Sequence, residues 1–268
     1  MSAYGTITTS RSVNLLPSTT WEIPEPAPGK PTPPFRHLVL HHLRLNSARS
    51  LPSLLEYTHQ VFATEVEEGR TYPQEVAAGG DASSSSSSYT REAFEAYFWG
   101  ADVIIAIGTT NTNDDRPHHP DRPTAATRDS VDGGKSDLET ARAGRSWKDT
   151  LVGFYYVKPN YPGRSSHICN AGFVIPPHYR QFGYGKILGK SYLHYGPSLG
   201  YKASVFNLVY TTNTGSLRIW DSLGFKRAGL IPRAGRLRRA DGSGEDWVDS
   251  VIYYRSFVEE EEWGRQIE

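Results

Sequence analysis

The stretch that decides the fold is Asn170-Ala171-Gly172-Phe173-Val174-Ile175-Pro176-Pro177-His178-Tyr179-Arg180-Gln181-Phe182-Gly183-Tyr184-Gly185. A strand-like apolar run ends at Ile175, a short loop follows, and Gly183 and Gly185 lead straight into a helix. In that helix Leu188, Tyr192, Tyr195 and Leu199 recur at helical spacing until Pro197 and Gly200 stop it. The two glycines let successive backbone N–H groups point into one concavity, where the positive end of the helix dipole adds to them, a place suited to a pyrophosphate. An Arg-x-x-Gly-x-Gly loop alone is more often an ordinary turn. The dinucleotide-dehydrogenase alternative wants a third glycine at 188 and an acid about 20 positions later. Position 188 is Leu and Lys202–Phe206 contains no acid, so that alternative fails.

Outward from this centre the elements alternate. Arg36–His42 reads as a strand, and Leu51, Leu54, Leu55, Thr58 and Phe62 fall at helical spacing with Pro52 in the first turn. Phe94, Tyr97 and Phe98 mark a short aromatic helix. Ala101–Gly108, Leu151–Val157 and His167–Ile175 read as buried strands separated by turn signals. Beyond the central helix come a strand at Ser204–Tyr210, a short helix at Thr214–Leu223 ended by Gly224, and strands at Phe225–Leu230 and Val248–Tyr254. The order βααβββαβαββ predicts an α/β (α+β) domain, a mixed sheet with helices on both faces.

Composition bounds the rest. The chain has 268 residues but only 37% apolar ones, and the polar surplus is concentrated in a few stretches. Residues 17–34 carry prolines at 17, 24, 26, 28, 31, 33 and 34, so residues 1–35 read as a Pro-rich arm on which Trp21 and Ile23 can dock locally. Residues 79–90, with Ser83 to Ser88 in a row, and residues 109–146, almost free of large apolar side chains, read as disordered insertions. One domain at 36–258 and an acidic tail at 259–268 remain. With 29 Lys plus Arg balancing 29 Asp plus Glu, a dedicated nucleic-acid binder is not expected. The single cysteine, Cys169, excludes an internal disulfide and a Cys-based zinc cage and suggests a reducing compartment. No apolar run reaches membrane-spanning length and no secretory signal is evident, so a soluble protein of the cytosol or nucleus is expected.

Motifs in this order resemble the GNAT superfamily of N-acetyltransferases: a central strand NAGFVI, the RQFGYG loop with its helix, the strand SVFNLVY, and Asn213-Thr214-Gly215-Ser216 opening a helix that closes at Gly224-Phe225. More closely, CNAGFVI, LHYGPSLGYK, FNLVYTTN, IWDSLGF, FYYVKPNYPGRSSH and TYPQ look like the fungal L-azetidine-2-carboxylate N-acetyltransferases, which act on cyclic imino acids related to proline. The resemblance covers neither the arm nor the insertions. It implies a twisted mixed sheet with a splayed central strand pair, acetyl-CoA as acyl donor, no metal, a small-molecule amine acceptor, direct attack in a ternary complex, and a homodimer.

Site residues carried over by the resemblance divide between donor and acceptor. Arg180, Gln181, Phe182, Gly183, Tyr184, Gly185 and Lys186 would cradle the phosphates, and Phe173, Val174 and Ile175 would offer a strand edge to the pantetheine arm. Asn213 would contact the donor at the start of its helix with Ser216, and Trp220 stands near the position where many members carry a proton-donating Tyr. Asn170 and Asn207 are the expected catalytic and substrate-binding side chains, binding the acceptor's carboxylate and positioning its ring nitrogen, with Tyr155 beside them. Asn207 shares a face with Val205 and Val209, an amide where an apolar residue is expected.

The general base stays open among His167, Tyr155, Tyr156 and an ordered water. Cys169 reads as a small buried hydrophobe rather than a nucleophile. His37, His41, His42 and the pair His118-His119 lack metal-ligand spacing, and Arg233–Arg239 reads as a solvated basic loop. Two other readings stand beside the enzyme of small amino or imino acids: a non-catalytic module of this fold that binds CoA or a protein partner, and a protein or histone acetyltransferase.

Overall fold

In a computed structural model of the chain, residues 14–26, 28–75, 89–110, 124–125 and 135–264 are described. The strands are β1 (Thr19–Glu22), β2 (His37–Leu43), β3 (Asp102–Thr109), β4 (Thr124–Ala125), β5 (Leu151–Pro159), β6 (Ile168–Val174), β7 (Ala203–Tyr210), β8 (Lys226–Arg238) and β9 (Glu245–Ser256). The α-helices are α1 (Leu45–Arg49), α2 (Leu54–Glu68), α3 (Arg91–Phe98), α4 (Lys135–Arg142), α5 (Trp147–Thr150), α6 (Tyr184–Ser198), α7 (Thr214–Ser222) and α8 (Glu260–Gly264). Every predicted strand and helix is present, and the strand predicted at Phe225–Leu230 runs eight residues further, to Arg238.

The strands form one sheet in the order β4-β1-β2-β3-β5-β6-β7-β9-β8. All neighbours are antiparallel except β6 and β7. Side chains alternate across a strand, so consecutive residues enter different cores. Val152, Tyr155 and Val157 join Leu188, Tyr192 and Tyr195 of α6 on one face, whereas Phe154 and Tyr156 join Phe62 of α2 and Phe94 and Phe98 of α3 on the other. Helices therefore cover both faces, as the α/β reading predicts.

Three compositional readings are corrected. The arm is not free chain throughout: Thr19–Glu22 pairs antiparallel with β2, and Trp21 and Phe35 are buried. Its prolines flank residues 18–23 rather than interrupt them, so every ladder N–H in that short run is intact. Thr19 is fixed further by a 3.0 Å hydrogen bond between its hydroxyl and that of Tyr195. Within the insertion at 109–146, Lys135–Arg142 is a helix with Leu138 buried, and Arg145 donates to the Gly108 and Ala141 carbonyls. The serine run at 83–88 lies outside the described residues. The acidic tail is docked at one point, where the Trp263 indole N–H donates to Ser256 Oγ and its ring meets His167.

The basic run Arg233–Arg239, all but its last residue, is not a loop but part of β8, which pairs with β9 along most of its length. This hairpin crosses the molecule. Arg238 N–H donates to the Gly69 carbonyl at 2.9 Å and its guanidinium to the Glu67 carbonyl, at the C-terminal end of α2. Arg236 pairs with both Glu75 and Glu245. The Arg236 and Arg239 charges are thus paired within the chain, and the hairpin acts as a strap from one sheet edge to α2.

Candidate active site

The sheet opens between β6 and β7. Their Cα pairing is limited to Ile168 with Ala203 and Cys169 with Ser204. Beyond those two pairs the parallel strands diverge, and Phe173, Phe206 and Trp220 fill the base of the gap, with Trp220 centred 4.5 Å from Phe206 and 5.1 Å from Phe173. A crevice of ≈ 1040 Å³ occupies the rest and reaches both faces of the sheet, from the first turn of α6 to Tyr72, Tyr97 and Tyr156 beside α2 and α3.

At the α6 end, Gln181 (φ 69°) and Gly183 (φ 83°) adopt left-handed backbone around Phe182, and no side chain caps the helix. The first N–H groups are thereby left for a ligand. The two glycines differ in purpose. Gly183 supplies the positive φ, and a Cβ there would meet nothing within 4 Å. A Cβ on Gly185 would lie 3.0 Å from Ile219 Cδ1, so this glycine lets α6 and α7 approach rather than bending the loop. Arg180 is committed elsewhere: Nε donates to the Ile175 carbonyl at 3.0 Å, and its terminal nitrogen pairs with Glu65. Burial raises the Glu65 pKa despite that guanidinium. The arginine ties the end of β6 to α2. Asn213 accepts from Ser216 N at 3.1 Å and so caps α7, both residues lying on the crevice wall.

The two predicted asparagines meet through a third that the sequence reading did not single out. Asn160 Oδ1 accepts from Asn170 Nδ2 at 2.6 Å and from Asn207 Nδ2 at 2.6 Å, and Asn160 Nδ2 donates to Asn207 Oδ1 at 3.2 Å. Asn160 ends β5 in the Pro-Asn-Tyr-Pro turn and pairs back to the Ile168 carbonyl, which places it across the turn from Asn170. An asparagine closing that turn, just after the strand beside β6, was the available signal. Asn170 Oδ1 is buried and has no hydrogen-bond partner among the described residues.

Asn207 is exposed to the crevice rather than buried between valines. The pairing of β7 with β9 slips between Phe206 and Val209, and this bulge breaks the alternation from which its burial was predicted. Tyr155 is also corrected. It is fully buried on the α6 face, its hydroxyl 2.9 Å from Ser191 Oγ, and it does not line the crevice; its neighbour Tyr156 does. Phe182 packs on Tyr184 and is not part of the wall. The remaining predicted donor residues, Phe173, Val174, Ile175, Gln181, Tyr184, Lys186 and Trp220, line it.

Neither Tyr156 nor Tyr97 is a ready base. Burial pushes Tyr156 and Tyr97 up, and their hydroxyls bond to each other at 3.0 Å. His167 lies outside the crevice wall, with Nδ1 3.1 Å from the Arg164 carbonyl. Burial pushes the Cys169 thiol up to about 12, and Sγ sits 3.0 Å from the Tyr192 hydroxyl, as expected of a structural cysteine. Among the described residues no group of three or more His, Cys, Asp or Glu could hold a metal ion, and no helix is long and apolar enough to cross a membrane.

This arrangement, an amide-lined helix start and a polar cluster on either side of a strand gap, agrees with what is found by comparison. Residues 105–225 match the model of the acetyltransferase (GNAT) family. N-acetyltransferase aca1 of Schizosaccharomyces pombe is 37% identical over 193 residues, which span 72% of this chain and 75% of that protein. Among solved structures, a GCN5-related N-acetyltransferase from Kribbella flavida superposes with a TM-score of 0.50 at 20% identity, covering 82% of this chain and 97% of that one. The acetyltransferase yncA from Salmonella typhimurium, described with its cofactor acetyl-CoA, superposes with a TM-score of 0.51 at 12% identity, covering 83% and 95%. The two structures share the fold, and the identity to the yeast relative extends the kinship to sequence across most of both chains: this chain belongs to the acetyltransferase (GNAT) family.

Proposed function

We propose that this N-acetyltransferase acetylates a small amino or imino acid of the proline-analogue type, by direct attack of the amine within a ternary complex. Acetyl-CoA is the acyl donor and supplies a thioester whose thiol, with a pKa of about 8.5, leaves without a dedicated acid. The observation that carries the acceptor assignment is Asn170 Oδ1, a buried oxygen without a partner among the described residues, at the strand gap. It is placed to accept the N–H of an incoming amine, and Asn160 holds its amide in that orientation through the 2.6 Å bond. Asn207, tied to the same Asn160 oxygen, would fix the other end of the acceptor.

The start of α6 fits the diphosphate of the donor, and the Phe173–Ile175 edge fits the amides of its pantetheine arm. Proximity and orientation then supply much of the rate, since the neutral amine needs no covalent intermediate on the chain. A single catalytic domain and a cytosolic or nuclear location, read from composition, and a homodimeric state, which rests on the resemblance, complete the proposal. A CoA-release screen over free amino acids, cyclic imino acids, polyamines and lysine peptides tests it. Turnover of azetidine-2-carboxylate or a proline analogue is the expected result, and turnover of polyamines or peptides alone would overturn it.

A further inference from the structure

The crevice contains a charge that neither the donor cradle nor the asparagine cluster uses. Lys158 lies on β5 directly opposite Asn170 of β6, so the two side chains leave the sheet on the same face. Its Nζ sits 4.1 Å from the ring centres of both Tyr97 and Tyr156 and donates to the Tyr97 carbonyl at 3.2 Å. Tyr156 can lie there because its partner across the ladder is Gly172, where a Cβ would come within 2.6 Å of the ring. An ammonium has three donors, and among the described residues only one of them is used. Among the described residues no carboxylate pairs with it, and burial draws its pKa down from 10.5 to about 8.

Aromatic faces hold a cation without neutralising it. A largely desolvated cation kept in a ligand cavity without a counter-charge is costly unless an anion arrives with the ligand. The other charged groups on the wall are accounted for. Glu65 is held by Arg180, Lys186 and Arg218 stand on α6 and α7 toward the donor, and Lys30 is exposed. Among the described residues, Lys158 is the charged group that shares the acceptor end with Asn170.

We propose that Lys158 receives the carboxylate of the acceptor and makes the enzyme select amino and imino acids over neutral or cationic amines. This rests on the acceptor class proposed above. The same charge disfavours polyamines and lysine side chains at this end of the crevice.

The test compares kcat/KM for L-azetidine-2-carboxylate and its carboxamide in the wild type, Lys158→Met and Lys158→Arg. Met keeps the stem between the tyrosine rings, and unchanged CoA affinity and an undiminished melting temperature establish that the variants are folded. The expected wild-type preference for the acid is ~10–100-fold, the size of one charge-assisted hydrogen bond. Lys158→Met should remove it by raising KM for the acid and not for the amide, and Lys158→Arg should keep most of it. Equal losses on acid and amide, or a wild type indifferent between them, would overturn the role of Lys158 and leave the acceptor class standing. A wild type active only on linear amino acids would overturn the cyclic acceptor class, and the acid-to-amide ratio on that linear acceptor then decides on Lys158. Activity confined to polyamines or lysine peptides would overturn both.

Discussion

Asn170 Nδ2 donates to Asn160 Oδ1 at 2.6 Å across the turn that joins β5 to β6, and the same oxygen accepts from Asn207 on the far side of the strand gap. One amide thereby sets the orientation of two others. Asn160→Ala should lower kcat/KM for the acceptor by ~10–100-fold, the cost of slight misplacement of reacting groups, with little change in CoA affinity. It should also cost about 1–3 kcal/mol of stability, because two amide donors lose their acceptor. Steady-state kinetics and thermal melts of the same preparation read both, and an unchanged kcat/KM would remove Asn160 from the site.

Asn207→Ala separates acceptor from donor. Its amide hangs from a bulge already exposed to the crevice, so the fold should tolerate its loss. A higher acceptor KM or lower kcat is expected, with acetyl-CoA binding nearly intact by calorimetry. A collapse of the melting transition would instead assign Asn207 to structure.

Gly183→Val tests the donor cradle. A β-branched residue at φ 83° is strained by about 1–3 kcal/mol and pushes the loop out of its left-handed turn. CoA affinity should fall at least tenfold. Gly185→Val should act through packing instead, since its Cβ would press on Ile219, and should lower the melting temperature as well.

Lys158 also leaves a signature in the pH dependence of stability. Its folded pKa of about 8 lies below the ordinary value of 10.5, so the unfolded chain binds more protons between those pH values. The penalty for holding the charge is therefore fully present below about 8 and fades as pH rises toward 10.5. Lys158→Met should be more stable than wild type at pH 7, by about 1–3 kcal/mol, with the advantage shrinking by pH 10. A variant less stable than wild type at pH 7 would mean that the ring contacts outweigh the desolvation.

Much of this was legible from residues 170–225, and the reason is local. The strand, glycine turn and helix of that stretch are specified by near neighbours, and the near-continuous apolar runs Leu151–Val157 and Ala101–Gly108 announce strands buried on both faces. Features set by distant partners were not legible. Tyr155 and Tyr156 are equivalent in composition, and only the placement of α6 on one face and of α2 and α3 on the other decides which of them meets the crevice. Asn207 was misjudged because a bulge is a property of the β7–β9 pair, not of β7. Thr19–Glu22 becomes a strand because β2 offers it an edge, and Gly235–Arg238 becomes one because β9 does.

The hairpin of β8 and β9 has a further consequence. It grips Gly69, Glu67 and Glu75 around the segment that carries Tyr72, whose hydroxyl in turn holds the Phe173 carbonyl at 3.1 Å. Through this short chain of contacts the hairpin is coupled to the crevice at Tyr72 and Phe173, which both line it. Exchanging residues 232–248 for those of a relative would therefore reshape the crevice where Tyr72 lines it, so diversification of this scaffold has an inexpensive handle at its periphery.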